Sequence, residues 1–224
     1  MCALAEPYRV AVYYAPEADD PLWVRGCTWL GRDPASGAQL AQPDVHNIAA
    51  DTTDPRRYGF HATLKPPMRL AGTLDAFLAD VESLAQRLKV FTLPTLTPIK
   101  IGHFIALSPI SPSPELQNLA DACVTELDTH RRAEDAAAQA KRANGRSERQ
   151  LRYLERFGYP FVLEEWRFHM TLSNSTDNDT LLPNAERYFA DALRTQRQVK
   201  HITVFVEPEP SSDFQILQTF KIGQ

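Results

Sequence analysis

An α+β fold is what this sequence predicts: a bilobed, pseudo-two-fold duplication with antiparallel sheets lining a central cleft and helices outside. Three observations lead there. The pattern Phe60-His61-Ala62-Thr63-Leu64 recurs as Phe168-His169-Met170-Thr171-Leu172, one copy in each half of the 224 residues. Each copy is followed by a break, a helical run and another β-rich run, so strand, helix, strand is written twice. A chain of this length with 43% hydrophobic residues can also bury a full core. We therefore read residues 1–224 as a single bilobed domain. Lobe one covers about 1–130, a basic helical connection about 131–156, and lobe two about 157–224.

Tyr8 to Tyr14 is β-rich and ends on Ala15-Pro16, a strand and a turn. Asp20-Pro21 supplies an N-cap and a proline at the first helical position, and Gly31 a stop, so a helix spans Pro21 to Leu30. Arg32 to Arg57 has no periodicity and reads as a long loop. The first motif strand runs from Tyr58 to Lys65 and is stopped by Pro66-Pro67. Thr73 caps a helix carrying Leu74, Phe77, Leu78, Val81, Leu84 and Leu88 at helical spacing. Pro98 to Leu107 is β-like, and a second helix covers about Glu115 to Arg131. The second motif strand is Trp166 to Ser173, followed by a polar loop, a helix from Pro183 to Thr195, a strand Val199 to Val206 and a closing strand Phe214 to Ile222. Between the halves, residues 131–156 carry eight basic side chains against four acidic ones. They read as a solvated helical connection or as a basic flap over an anionic substrate.

The formal charge of −4 and a pI near 5.9 argue against a duplex DNA-binding surface. Cys2, Cys27 and Cys123 are odd in number and far apart, which signals neither a disulfide framework nor a zinc site. No apolar run approaches a membrane span and no leader is readable, so a cytoplasmic protein is expected. Oligomeric state leaves no trace in these residues.

In a strand, His and Thr at i and i+2 share a face while Phe, the middle residue and Leu share the other. Extending the alternation adds Lys65 to the first polar stripe and Arg167 and Ser173 to the second. Paired imidazoles beside hydroxyls and cations suggest phosphoryl chemistry. Tyr58, Trp166 and Tyr14 are candidates to stack on a base or line a sugar pocket. A third H-x-T, His201-Ile202-Thr203, lacks the flanking Phe and Leu, and is read with His103 as a structural outer pair.

Two H-x-T-hydrophobic motifs, each on a strand and half a chain apart, resemble the 2H phosphoesterase superfamily of cyclic-phosphate phosphodiesterases and 2′-5′ RNA ligase-like proteins. Tyr58 to Pro67, Phe104 to Leu107, Arg167 to Leu172 and Tyr13 to Pro16 resemble, more narrowly, a bacterial branch associated with phosphonate metabolism. The resemblance implies His61, Thr63, His169 and Thr171 as catalytic residues, with no metal and no cofactor. One neutral imidazole takes a proton and the opposite imidazolium gives one, while the threonines hold the phosphoryl oxygens. The substrate implied is a small phosphodiester or nucleotide, with an RNA end as a further reading. Two rivals remain, a binding protein that does not turn its nucleotide over and an RNA ligase-like activity. A metal hydrolase fails on spacing, since each motif strand offers one imidazole only.

Overall fold

The computed structural model describes residues 6–134 and 136–223. Cys2, Asp135 and the side chain of Lys141 lie outside the described residues. Val10 to Tyr14 are all buried, because β1 (Arg9–Tyr14) is an inner strand covered on both faces. Asp20 caps α1 (Pro21–Leu30) through the Leu22 N–H, and Gly31 ends it in a left-handed conformation, as the sequence predicts. The expected long loop instead holds two short helices, α2 (Ile48–Asp51) and α3 (Thr53–Tyr58). Too short to show a helical period, they are held by Arg32 and Arg56, whose guanidinium groups bond backbone carbonyls within 30–57.

β2 (Ala62–Met68) runs through Pro66-Pro67 instead of stopping there. Its pairing with β1 skips twice, Val10 facing Met68, Val12 facing Lys65 and Tyr13 facing Thr63, so β2 carries two extra residues as bulges. Its other flank pairs with a strand only at Ala62, which leaves the prolines no ladder bond to break. α4 (Leu74–Arg87) follows its Thr73 cap. β3 (Phe91–Leu93) is short, and the β-like run beyond it splits into a hairpin, β4 (Leu96–Ile101) and β5 (Phe104–Pro109), with exposed His103 in the turn. α5 (Pro114–Glu126), α6 (Ala136–Ala143) and α7 (Glu148–Phe157) lead to β6 (Met170–Thr171). That strand is far shorter than the predicted Trp166–Ser173. α8 (Leu181–Leu193), β7 (Arg197–Val199), β8 (His201–Glu207) and β9 (Gln215–Lys221) complete the chain.

Among the described residues, seven strands form one antiparallel sheet in the order β4-β5-β6-β2-β1-β8-β9, and β3 pairs with β7 apart from it. This corrects the division into contiguous lobes. The second motif strand joins the hairpin of the first half, while the first motif strand joins β8 and β9 of the second. The halves are exchanged, and they meet where β2 touches β6. α1 and α8 back this junction, with Phe60 stacked on Phe189, Trp29 tilted against the same ring, and Trp29 Nε1 donating to the Leu172 carbonyl at 2.9 Å. No helix among the described residues is long and apolar enough to cross a membrane.

Candidate active site

The seam between β2 and β6 places both motifs on one face. Ala62 pairs with Met170, so one step further each way sets His61 opposite Thr171 and Thr63 opposite His169. The four polar side chains thus stand as a crossed quartet about a local two-fold axis. Phe60, Leu64, Phe168 and Leu172 are buried beneath them. On β1, alternation sends Arg9, Ala11 and Tyr13 to the quartet's side and Val10, Val12 and Tyr14 to the helices.

Both imidazoles are held alike. Nδ1 of His61 lies 2.8 Å from the Gly59 carbonyl oxygen, and Nδ1 of His169 lies 2.8 Å from that of Arg167. A carbonyl only accepts, so each Nδ1 bears the proton and each neutral ring keeps Nε2 as a bare acceptor. Gly59 makes this possible for His61, since its φ of 81° suits glycine and a Cβ there would meet Pro34. Thr63 Oγ1 stands 3.3 Å from His61 Nε2, and the Tyr13 ring stacks on the imidazole at 3.7 Å with a 20° tilt. His169 packs near Phe104, 5.8 Å between ring centres. The His61 pKa is lowered to about 4, chiefly by burial, with the Gly59 carbonyl pulling the other way and a charge on His169 adding a smaller push downward. Burial lowers His169 as well.

A cleft of about 590 Å³ opens beside the quartet, with His61, Thr63 and Thr171 in its lining and His169 outside it. Tyr58 and Pro55 of α3, Pro66 and Pro67, Phe104, and the loop Ser173 to Ser175 form its walls, and Arg9, Arg142 and Tyr159 stand at one end. Tyr58, stacked on Phe214 at 5.0 Å, is therefore placed as the sequence suggests. Ser173 lines the cleft but spends its hydroxyl, which accepts from the Ile105 N–H and donates to the Asn174 carbonyl.

Four expectations are corrected. Lys65 does not reach the cleft: the bulge at Leu64 turns it inward, where Nζ donates to the Val124 carbonyl at 3.0 Å and to Asp128 at 3.2 Å. Arg167 precedes β6, outside the alternation, and its exposed side chain lines a separate groove with Ser108 and Phe168. Trp166 braces the motifs, its Nε1 donating to the Thr63 carbonyl at 2.8 Å. Tyr14 is buried against Phe168 on the helix side, where lost hydration raises its pKa. His201 bonds the Ala15 carbonyl through Nε2 at 2.9 Å, a structural role as expected, but His103 in its exposed turn is no counterpart to it.

The sequence reading missed Tyr13, Arg9, Arg142, Tyr159 and Asn174. Tyr13 was within reach, since it differs from the chosen Tyr14 only by the parity of its position on β1. Asn174 clamps the cleft wall, donating to Ala50 and Thr53 and accepting from the Asp54 N–H. Within the basic connection, Arg131, Arg149 and Arg156 are occupied by Asp128, Glu165 and the Phe157 ring, whereas Arg142 reaches the cleft.

A family model described as "Protein of unknown function (DUF1045)" matches residues 63–215. The chain is 36% identical over 219 residues to "Ribose 1,5-bisphosphate phosphokinase PhnN" of Laribacter hongkongensis, which covers 93% of this chain and 50% of that protein. It is 35% identical over 222 residues to the protein of the same name from Janthinobacterium sp., at 92% and 49%. The chain spans about half the length of the curated relatives it matches. Among solved structures, E. coli LigT complexed with 3′-AMP superposes with a TM-score of 0.51 at 14% identity, over 98% of this chain and 99% of that one. The fold is that of LigT, so the 2H-like architecture read from the paired motifs is borne out.

Proposed function

Since this chain belongs to the DUF1045 family, described as of unknown function, its activity has to be read from its own site, and we propose a metal-independent phosphodiesterase that opens a small cyclic phosphodiester. The observation that carries this reading is the crossed quartet, two imidazoles with Nε2 unprotonated beside two hydroxyls on one face of the seam, three of the four lining the cleft.

Water attacks phosphorus as His61 Nε2 takes one of its protons. The ester P–O bond on the opposite side breaks, and the proton on His169 Nε2 passes to the departing oxygen. One water is consumed, a phosphomonoester and a hydroxyl are formed, and the two rings have exchanged protonation states, which solvent resets. Thr63 and Thr171 donate to the non-bridging oxygens, whose charge grows in the transition state. His61 is assigned as the base because its ring is held neutral the more strongly. His169 becomes the acid on substrate arrival, as a phosphate anion nearby favours the imidazolium. The donor chemistry favours a metal-free route: among the described residues no three His, Cys, Asp or Glu are gathered as a ligand set.

The relatives' names support a ribose phosphate as the substrate's scaffold. We carry over the sugar phosphate and not the kinase reaction, because this sequence has no G-x-x-x-x-G-K-[ST] loop to cradle a nucleoside triphosphate. The test is a panel of ribose cyclic phosphates and nucleoside 2′,3′-cyclic phosphates, assayed with and without chelator. Turnover that survives chelator and disappears in His61→Ala and His169→Ala is expected. Binding without turnover across the pH range would overturn the proposal.

A further inference from the structure

The cationic end of the cleft has no part in the quartet's chemistry. β1 and β8 are in regular register, so on the cleft face Arg9 stands opposite Glu207, Ala11 opposite Phe205 and Tyr13 opposite Thr203. Arg9 is four residues along β1 from Tyr13, roughly 13 Å at the usual strand rise. Glu207 is fully buried and pairs with both Arg9 and Arg57, so this trio retains one net positive charge. Arg9 uses Nε for that pair, and its guanidinium lies 5.5 Å from the centre of the Phe214 ring on which Tyr58 stacks.

Across the cleft, Arg142 donates to the Gly158 carbonyl at 2.9 Å and lies 2.9 Å from Glu134. Glu134 Oε2 is buried without a hydrogen bond, so that ion pair is close in charge but out of line. Tyr13, Tyr58 and Tyr159 line the same cleft as Arg9 and Arg142. Among the described residues, neither the Tyr13 nor the Tyr159 hydroxyl bonds a protein group. Two half-buried guanidinium groups and unspent hydroxyls in one cleft make a site for a phosphate. Among the described residues, Asp54 is the one carboxylate lining this cleft, and it is exposed.

We propose that Arg9, Arg142, Tyr58 and Tyr159 form a second anion subsite, and that the substrate carries a phosphomonoester on the same sugar as the cyclic diester broken at the histidines. This rests on the phosphodiesterase reading and narrows it to a doubly phosphorylated sugar.

The experiment compares kcat/KM for a ribose cyclic phosphate with and without a 5-phosphate, and for a nucleoside 2′,3′-cyclic phosphate with and without a 5′-phosphate. The two pairs separate a sugar bisphosphate from a nucleotide as its source. In the wild type the added phosphate should raise kcat/KM by about 10- to 100-fold, the range for a charge-assisted hydrogen bond. In Arg142→Ala and Tyr159→Phe the ratio should fall toward one, while in Arg194→Ala, far out on the surface, it should stay as in the wild type. A wild-type ratio near one overturns the subsite. If no cyclic substrate turns over, the phosphodiesterase reading fails and calorimetry with ribose 5-phosphate still decides the subsite. Binding weakened at least 10-fold by Arg142→Ala sustains it, and no binding, or equal binding, ends it.

Discussion

His61 and His169 each surrender Nδ1 to a carbonyl two residues earlier in the chain, which confines their chemistry to Nε2. Replacing either by alanine should lower kcat/KM by about 100-fold or more. His201→Ala should cost far less, since its Nε2 is already spent on the Ala15 carbonyl. A defect in His201→Ala equal to that of His169→Ala would displace the assignment. The pH profile follows from the same environment. His61 must be neutral to accept a proton, so kcat/KM rises as pH climbs through about 4. His169 must be charged to donate, so kcat/KM falls as pH climbs through its own value, which burial holds below the ordinary 6.5. The bell for kcat/KM is therefore centred on the acid side of 6.5. A bell centred above 7 would contradict it, and the two limbs belong to the pair together.

Two contacts show how neighbouring elements fix the motif strand. Gly26 of α1 faces Phe60 so closely that a Cβ would collide with the ring. Gly26→Ala should lower stability by about 1–3 kcal/mol through overpacking, read as a drop in the denaturant midpoint, and reduce kcat by shifting the residue beside His61. Lys65 has the opposite profile. Lys65→Met strands the Val124 carbonyl and removes one partner of Asp128, which Arg131 still holds. A stability loss of about 1–3 kcal/mol is expected with kcat unchanged, and a selective loss of kcat would return Lys65 to the site. Helices were legible where caps and period agree: α1 matches its predicted bounds, and α4 follows its cap. The strands were legible in kind but not in extent. A bulge adds one residue without changing composition, so the period-two pattern carries past Leu64 although the real side chains have switched faces.

On the scale of the whole molecule, sequence showed the duplication but not the exchange of strands between its halves. Which strand pairs with which is decided by contacts between residues far apart in the chain, and local pattern is blind to them. The cationic end of the cleft was hidden for that reason, since Arg9 meets Glu207, and Arg142 comes from a helical connection that composition marks only as basic. Because guanidinium groups attract the ligand through partly open space, raising ionic strength from about 0.05 to 0.5 M should raise KM severalfold and leave kcat nearly constant. A KM indifferent to salt would remove Arg9 and Arg142 from ligand capture.

The unpaired flank of β2 alongside the cleft is the kind of edge that invites a foreign strand to add itself. Pro66 and Pro67 offer no N–H there, so an intruding backbone finds acceptors without donors and gains no ladder. Addition of a strand along that side of the cleft is thereby disfavoured.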